Sequence, residues 1–261
     1  MTPQNYYKER KVRKLKSVNE RLIKQLVQTE RAVQPRIGGL KLYHQLKTEL
    51  EKAGVRIGRD RFFKVLKHQR LLLKALRKSP QTTNSRHNLP VFTNLIKDLY
   101  LTGANQVWVS DITYIRTHVD FAYLSLITDK SSRKIVGYHL GRTLTAQETL
   151  KALKMAVKEM PKGIFPIHHS DRGSQYCSHE YVNYLKDCNM RISMTEDNHC
   201  AENALAERVN GILKQEYFLS NEFRDFKQAH RAVTEAVNLY NTRRLHRSLK
   251  LRTPEEVHRA A

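Results

Sequence analysis

The sequence predicts an α/β fold, a mixed sheet flanked by helices, with an all-α basic region in front of it. Three observations lead there. The first part of the chain spaces its apolar residues at helical intervals, strand-like segments begin near Asn105, and beyond them helix and strand alternate. A chain of 261 residues has room for two modest domains, each with a core of its own.

Charge sharpens the division. The formal net charge is +22, and such an excess repels itself in a compact state unless a polyanion is the partner. Residues 1–90 hold 23 Lys and Arg against 6 Asp and Glu, whereas residues 91–261 hold 24 against 19. A long basic excess interleaved with helical apolar periodicity points to a folded module that faces phosphates. Three cysteines, Cys177, Cys188 and Cys200, give neither an even pairing nor a C-x-x-C motif, so no disulfide framework or structural zinc site is expected. No apolar run approaches the span of a bilayer, and the N-terminus lacks the apolar core of a signal peptide. The expectation is a cytoplasmic protein with nucleic acid as its candidate partner and no membrane partner.

From Val12 to Val33 the apolar positions predict an amphipathic helix ended near Pro35, with Asn19 and Thr29 interrupting any coiled-coil seam. A second helix carries Leu40, Tyr43, Leu46 and Leu50 on one face and stops at Gly54. A third, starting near Arg59, turns Phe62, Phe63, Leu66 and Leu71 inward and leaves Arg59, Arg61, Lys64, Lys67 and Arg70 outward. Two short helices about a glycine-containing turn, the second strongly basic, read as a helix-turn-helix DNA-binding region over 1–78. Residues 79–100 read as a linker on their Ser, Thr, Asn and Pro content, and 101–261 as a second domain.

Within that domain QVWVSDITYI, FAYLSLITD and RKIVGYHLG are three strands, the last two joined by a tight turn at KSS. A helix over about Ala146 to Met160, a strand IFPIHHSD, a helix around HEYVNYLKDC, a strand RISMT and further helices follow, for five strands in all. Asp111 lies inside the first strand, Asp171 follows the fourth, and Glu207 sits in a helix. Singly each is an ordinary charge. If the first and fourth strands are neighbours, the two acids converge and a crossing helix adds the third. Three such oxygen ligands repel one another without a cation, which calls for a hard divalent metal, Mg for phosphate chemistry.

The segments NQVWVSDITYI, HHSDRGSQYCS, ENALAERVNGILKQE and YNTRRLHRSLKLRTPEEV closely resemble the motifs of bacterial transposases of the insertion-sequence-3 family, whose core is of the retroviral-integrase type. Asp111 and Asp171 are separated by 59 residues, and Asp171 and Glu207 by 35, the interval that the family's DD(35)E pattern names. The resemblance implies an RNase H-like core in which Asp111, Asp171 and Glu207 are catalytic and hold two Mg ions, with Mn as a substitute. It implies cleavage at the ends of an insertion sequence, then joining of the exposed 3′-hydroxyl to another phosphodiester. Asn210 and Lys214 share the face of Glu207, which in similar integrases meets the terminal DNA. Double-stranded DNA at element ends and target is the implied partner, with self-association on DNA and a partner protein from the element's first reading frame. The chain departs from the family pattern at Ala201 and Glu202, where Tyr-Asp is usual, and at Arg208, where Ser is common. A nuclease of the same fold that never joins strands, or a DNA-binding regulator inactive without its first-frame partner, are the alternatives.

Overall fold

The computed structural model describes residues 2–73, 89–196 and 203–261, with the backbone alone at 11–15. Of the expectations above, the first half of the 79–100 linker, Cys200, Ala201 and Glu202, and the side chain of Val12 lie outside the described residues. The chain divides into two compact units, Met1–Arg77 and Lys78–Ala261.

The first unit is helical: α1 (Pro3–Val33), α2 (Gly39–Lys52) and α3 (Arg59–His68). The first helix starts nine residues before Val12, because Thr2 caps it through Asn5 N–H and Pro3 follows at the first helical position. Its core collects Ile23 and Val27 of α1, Leu42, Leu46 and Leu50 of α2, and Phe62, Val65 and Leu66 of α3. Gly54 turns the chain after α2 at φ +76, a conformation that favours glycine.

The second unit is a five-stranded mixed sheet in the order β3-β2-β1-β4-β5. Its strands are β1 (Val107–Arg116), β2 (Phe121–Asp129), β3 (Ile135–Gly141), β4 (Ile167–Ser170) and β5 (Arg191–Met194). The first three form an antiparallel meander, and β4 then runs parallel to β1 and β5 parallel to β4. This is the RNase H-like arrangement, with helices on both faces. One face packs under α4 (Ala146–Lys158), α5 (Ser174–Cys177) and α6 (His179–Asp187) through Trp108, Ile127, Leu153, Tyr181 and Leu185. The other packs under α7 (Ala204–Glu216) and α8 (Phe226–Thr242) through Ile115, Leu124, Leu126, Val209, Leu213 and Tyr240. A short helix α9 (Pro254–Arg259) ends the chain, opened by a capping box between Thr253 and Glu256.

Helix α4 lies so close to β3 that a Cβ at Gly137 would collide with the backbone oxygen of Ala152. A glycine there sets the distance between helix and sheet. Residues 89–100 contribute to the packing of this unit: Leu89 and Phe92 rest on the α4/α6 side, Ile96 is buried, and Leu95 N–H donates to Ser193 Oγ.

Candidate active site

The register of β1 and β4 creates the site. Val109 pairs with His169, so two residues further along both parallel strands stand Asp111 and Asp171. Asp111 also pairs with Leu126 in β2, which fixes it in a central strand. Helix α7 is pinned across this end of the sheet by two asparagines. Asn203 Nδ2 donates to Ser110 O at 3.0 Å, and Asn210 Nδ2 donates to Asp111 Oδ2 at 2.8 Å. Because Glu207 and Asn210 are three residues apart on one helix face, the second bond turns Glu207 toward the same carboxylate. Lys214 lies one turn beyond Asn210, near enough to Asp111 for the two charges to interact.

The electrostatics record the crowding. Burial pushes the Asp111 carboxyl up to about 7, and repulsion from Asp171 and then Glu207 adds to it, while the bonds from Asn210 and Ile112 N–H oppose the rise. Burial lowers the pKa of Lys214, and Asp111 acts the other way. Asp171 and Glu207 thus both press on the Asp111 carboxyl in a partly buried place, with Lys214 close enough to act on it.

The loop after Asp171 is built to support it. Gly173 N–H donates to Asp171 Oδ1 at 3.0 Å, and a Cβ at Gly173 would sit 3.0 Å from that same oxygen. A side chain at this position would press on the carboxylate, which would have to give by a few tenths of an ångström. Arg172 Nε reaches Thr195 O at 2.7 Å, and Gln175 Nε2 reaches Leu144 O at 3.1 Å. Tyr176 is 2% exposed and packs edge-on against Tyr181. Thr113, two residues after Asp111 on β1, is also buried.

His168 is a core residue beneath the site, sharing hydrogen bonds with Ser110 Oγ (2.8 Å) and Tyr181 Oη (2.9 Å). Burial and then His169 hold its pKa down to about 3, so it stays neutral. His169 likewise bonds Ser193 Oγ.

Asp111, Asp171, Glu207, Asn210 and Lys214 are thus brought together. Asn210 is 5% exposed and aimed at Asp111, so its amide acts inside the site. The periodicity that places it three residues from Glu207 is the one sequence signal for this role. Arg59, Arg61, Lys64 and Lys67 lie in the other unit, all exposed on α3 opposite Phe62, Val65 and Leu66.

Asp111, Asp171 and Glu207 are an all-oxygen donor set, the chemical type that suits a hard divalent cation, and a cation beside Asp111 would counter the upward push on its carboxyl. Among the described residues, no three His, Cys, Asp or Glu side chains stand close enough to hold an ion as they are. One oxygen of Asp111 is engaged by Asn210 and the other by Ile112 N–H.

Comparison with known proteins identifies similar chains. Two family models, both described as integrase core domain, match residues 102–200 and 189–254. The 31 kDa protein of insertion element IS600 from Shigella sonnei is 40% identical over 209 residues, 78% of this chain and 76% of that protein. The transposase InsF for insertion sequence IS3A of Escherichia coli strain K12 is 39% identical over 165 residues, 60% of this chain and 57% of that one. Among solved structures, the HTLV-2 integrase catalytic core domain is similar at 20% identity and a TM-score of 0.48, covering 60% of this chain and 97% of that one.

Proposed function

This chain belongs to the insertion-sequence-3 family of transposases with an integrase-like core, and from that premise we propose that Asp111, Asp171 and Glu207 are its catalytic metal ligands. An enzyme of the polynucleotidyl transferase type follows from the family. The observation that carries the finer reading is the convergence of Asp111, within β1, and Asp171, just past the parallel strand β4, beside a helix that Asn210 bonds to Asp111.

The proposed substrate is duplex DNA carrying an end of the insertion sequence. Two divalent cations, Mg or Mn, would activate the attacking oxygen and stabilise the leaving oxygen at a phosphodiester. Asp111 on β1, Asp171 just after the adjacent β4, and Glu207 on the helix crossing them would hold that charge. Gly173 N–H keeps Asp171 oriented, and Asn210 does the same for Asp111. Lys214 is placed to meet a phosphate or base edge beside the carboxylates. Hydrolysis would first break the bond at the element's end and leave a 3′-hydroxyl. That hydroxyl would then attack a second phosphodiester, forming one bond as another breaks, so that no ATP is needed. In the other unit, Arg59, Arg61, Lys64 and Lys67 present a basic helix for the duplex. Self-association on DNA and a first-frame partner belong to the same reading. Among the described residues no helix is long and apolar enough to cross a membrane.

Incubating the chain with labelled element ends and Mg or Mn tests the reading. Joined strands support a transposase, hydrolysis without joining marks a nuclease, and binding without chemistry marks a regulator that needs its partner.

A further inference from the structure

The C-terminal motif Tyr240, Asn241, Arg244, His246, Leu249, Thr253 and Pro254 has a place in the sequence pattern but no part in the chemistry above. Two of its residues reach into the catalytic unit. Asn241 treats the start of the edge strand β3 as a pairing partner: its Oδ1 accepts from Ile135 N–H and its Nδ2 donates to Ile135 O, both at 2.9 Å. Arg244 grips the last residue of α7 with both prongs of its guanidinium, Nε to Glu216 Oε2 at 2.8 Å and Nη2 to Glu216 Oε1 at 2.6 Å. The third nitrogen, Nη1, lies 3.0 Å from His246 Nε2, and the Arg244 side chain is 6% exposed. His246 in turn packs edge-on against the buried ring of Tyr240, with ring centroids 5.1 Å apart.

The geometry points to a positioning role: through Glu216, Arg244 sets the place of α7 along its own axis and thereby that of Glu207 against Asp111. The inference rests on the catalytic reading of Glu207. The helix is fastened at its start by Asn203 and at its middle by Asn210, and Val209, Ile212 and Leu213 bury its inner face, so the end beyond Leu213 is the part these contacts leave to be fixed. Glu216 is nine residues beyond Glu207 on this helix, about 13 Å along the axis. A two-pronged, part-buried attachment at the far end resists sliding and tilting together, because both hydrogen bonds must stretch at once. The ends of α7 are thereby fixed to opposite parts of the unit, the sheet at one and the C-terminal segment at the other. A lysine in place of Arg244 keeps the charge and loses the fork.

The test uses the full chain with Arg244→Lys and the paired Glu216→Met/Arg244→Met. Two apolar side chains of similar length replace a buried ion pair without stranding a charge, so the paired variant is expected to fold. Cleavage of a labelled element end is measured as kcat and KM, together with Tm and the rise in Tm on adding MgCl2 alone. The expected result is a Tm within about 3 °C of the parent, a KM within about twofold and a kcat lower by about 100-fold. Most of the Mg-dependent rise in Tm is lost as well. A folded paired variant with the parent's kcat overturns the inference. Where the paired variant does not fold, Arg244→Lys carries the same readouts and the same criterion. A parent chain that cuts no element end with Mg or Mn overturns the catalytic reading instead. The Mg-dependent rise in Tm then decides the role of Arg244 alone, and an equal rise in parent and variant, or none in either, overturns it.

Discussion

Asn210 and Asp111, 99 residues apart in the chain, are joined by a 2.8 Å hydrogen bond that ties the helix bearing Glu207 to the central strand of the sheet. The amide favours the charged form of Asp111 against its burial. Asn210→Ala removes that support, so the carboxyl rises further and more of it is protonated near neutrality. The acid limb of the pH profile of kcat should move to higher pH, and the Mg concentration for half-maximal cleavage should increase. An unshifted acid limb would show that the bond is incidental to the reaction.

The pKa of Asp111 also makes a stability statement. An ordinary aspartate loses its proton near 3.8 in the unfolded chain, whereas the folded site holds it to about 7 without metal. The folded state therefore binds more protons in this window, and this group's contribution declines as pH rises from about 4 to about 7, on the order of 1.4 kcal/mol per pH unit. Below the window the contribution is fully present, and above it the loss is complete. Asp111→Asn lacks the titration. Relative to the parent, in EDTA, it should gain stability steadily between pH 5 and 7, and Mg should narrow the gap at the upper end. Denaturant midpoints that run parallel across this range would contradict the assignment.

Helix α3 exposes Arg59, Arg61, Lys64 and Lys67 on the side away from its core. Replacing all four by Gln in the full chain should lower affinity for duplex DNA. It should also flatten the dependence of log K on log salt, by about 0.9 for each phosphate that is no longer neutralised. Fluorescence anisotropy across a salt series measures both. A slope equal to the parent's would remove α3 from the DNA interface.

Lys214 on α7 is close enough to Asp111 to interact with it. Lys214→Ala should weaken binding of the element's end by about 1–3 kcal/mol if the lysine meets a base, with much less effect on unrelated duplex. Competition between the two duplexes reads this directly. Losses below about 0.5 kcal/mol on both would assign Lys214 to surface cover.

Much of the sheet was legible because its strands carry short apolar runs between turn residues. The three acids were legible because the chain keeps the interval of 35 residues that the family pattern names. What sequence could not show is the pairing that gives those positions their meaning. The partnership of Val109 with His169 places Asp111 beside Asp171, and no local property of either strand specifies it. The same holds for Asn241, whose amide meets Ile135 across 106 residues, and for Arg244, which meets Glu216 across 28. The early start of α1 was missed for a different reason. Thr2 and Pro3 define it by capping, and its first turns carry no apolar stripe for periodicity to find.

The central claim is that Asp111, Asp171 and Glu207 act together on a phosphodiester, and isosteric removal of charge tests it most directly. Asp111→Asn, Asp171→Asn and Glu207→Gln each take away a charged ligand and change little volume, so fold and duplex binding should survive. The measurement is cleavage and joining of a labelled element end with Mg or Mn, with duplex affinity determined on the same preparations. The account predicts the loss of nearly all cleavage and joining in each of the three variants, with affinity close to the parent's. Cleavage near the parent's level in any one of them would contradict it.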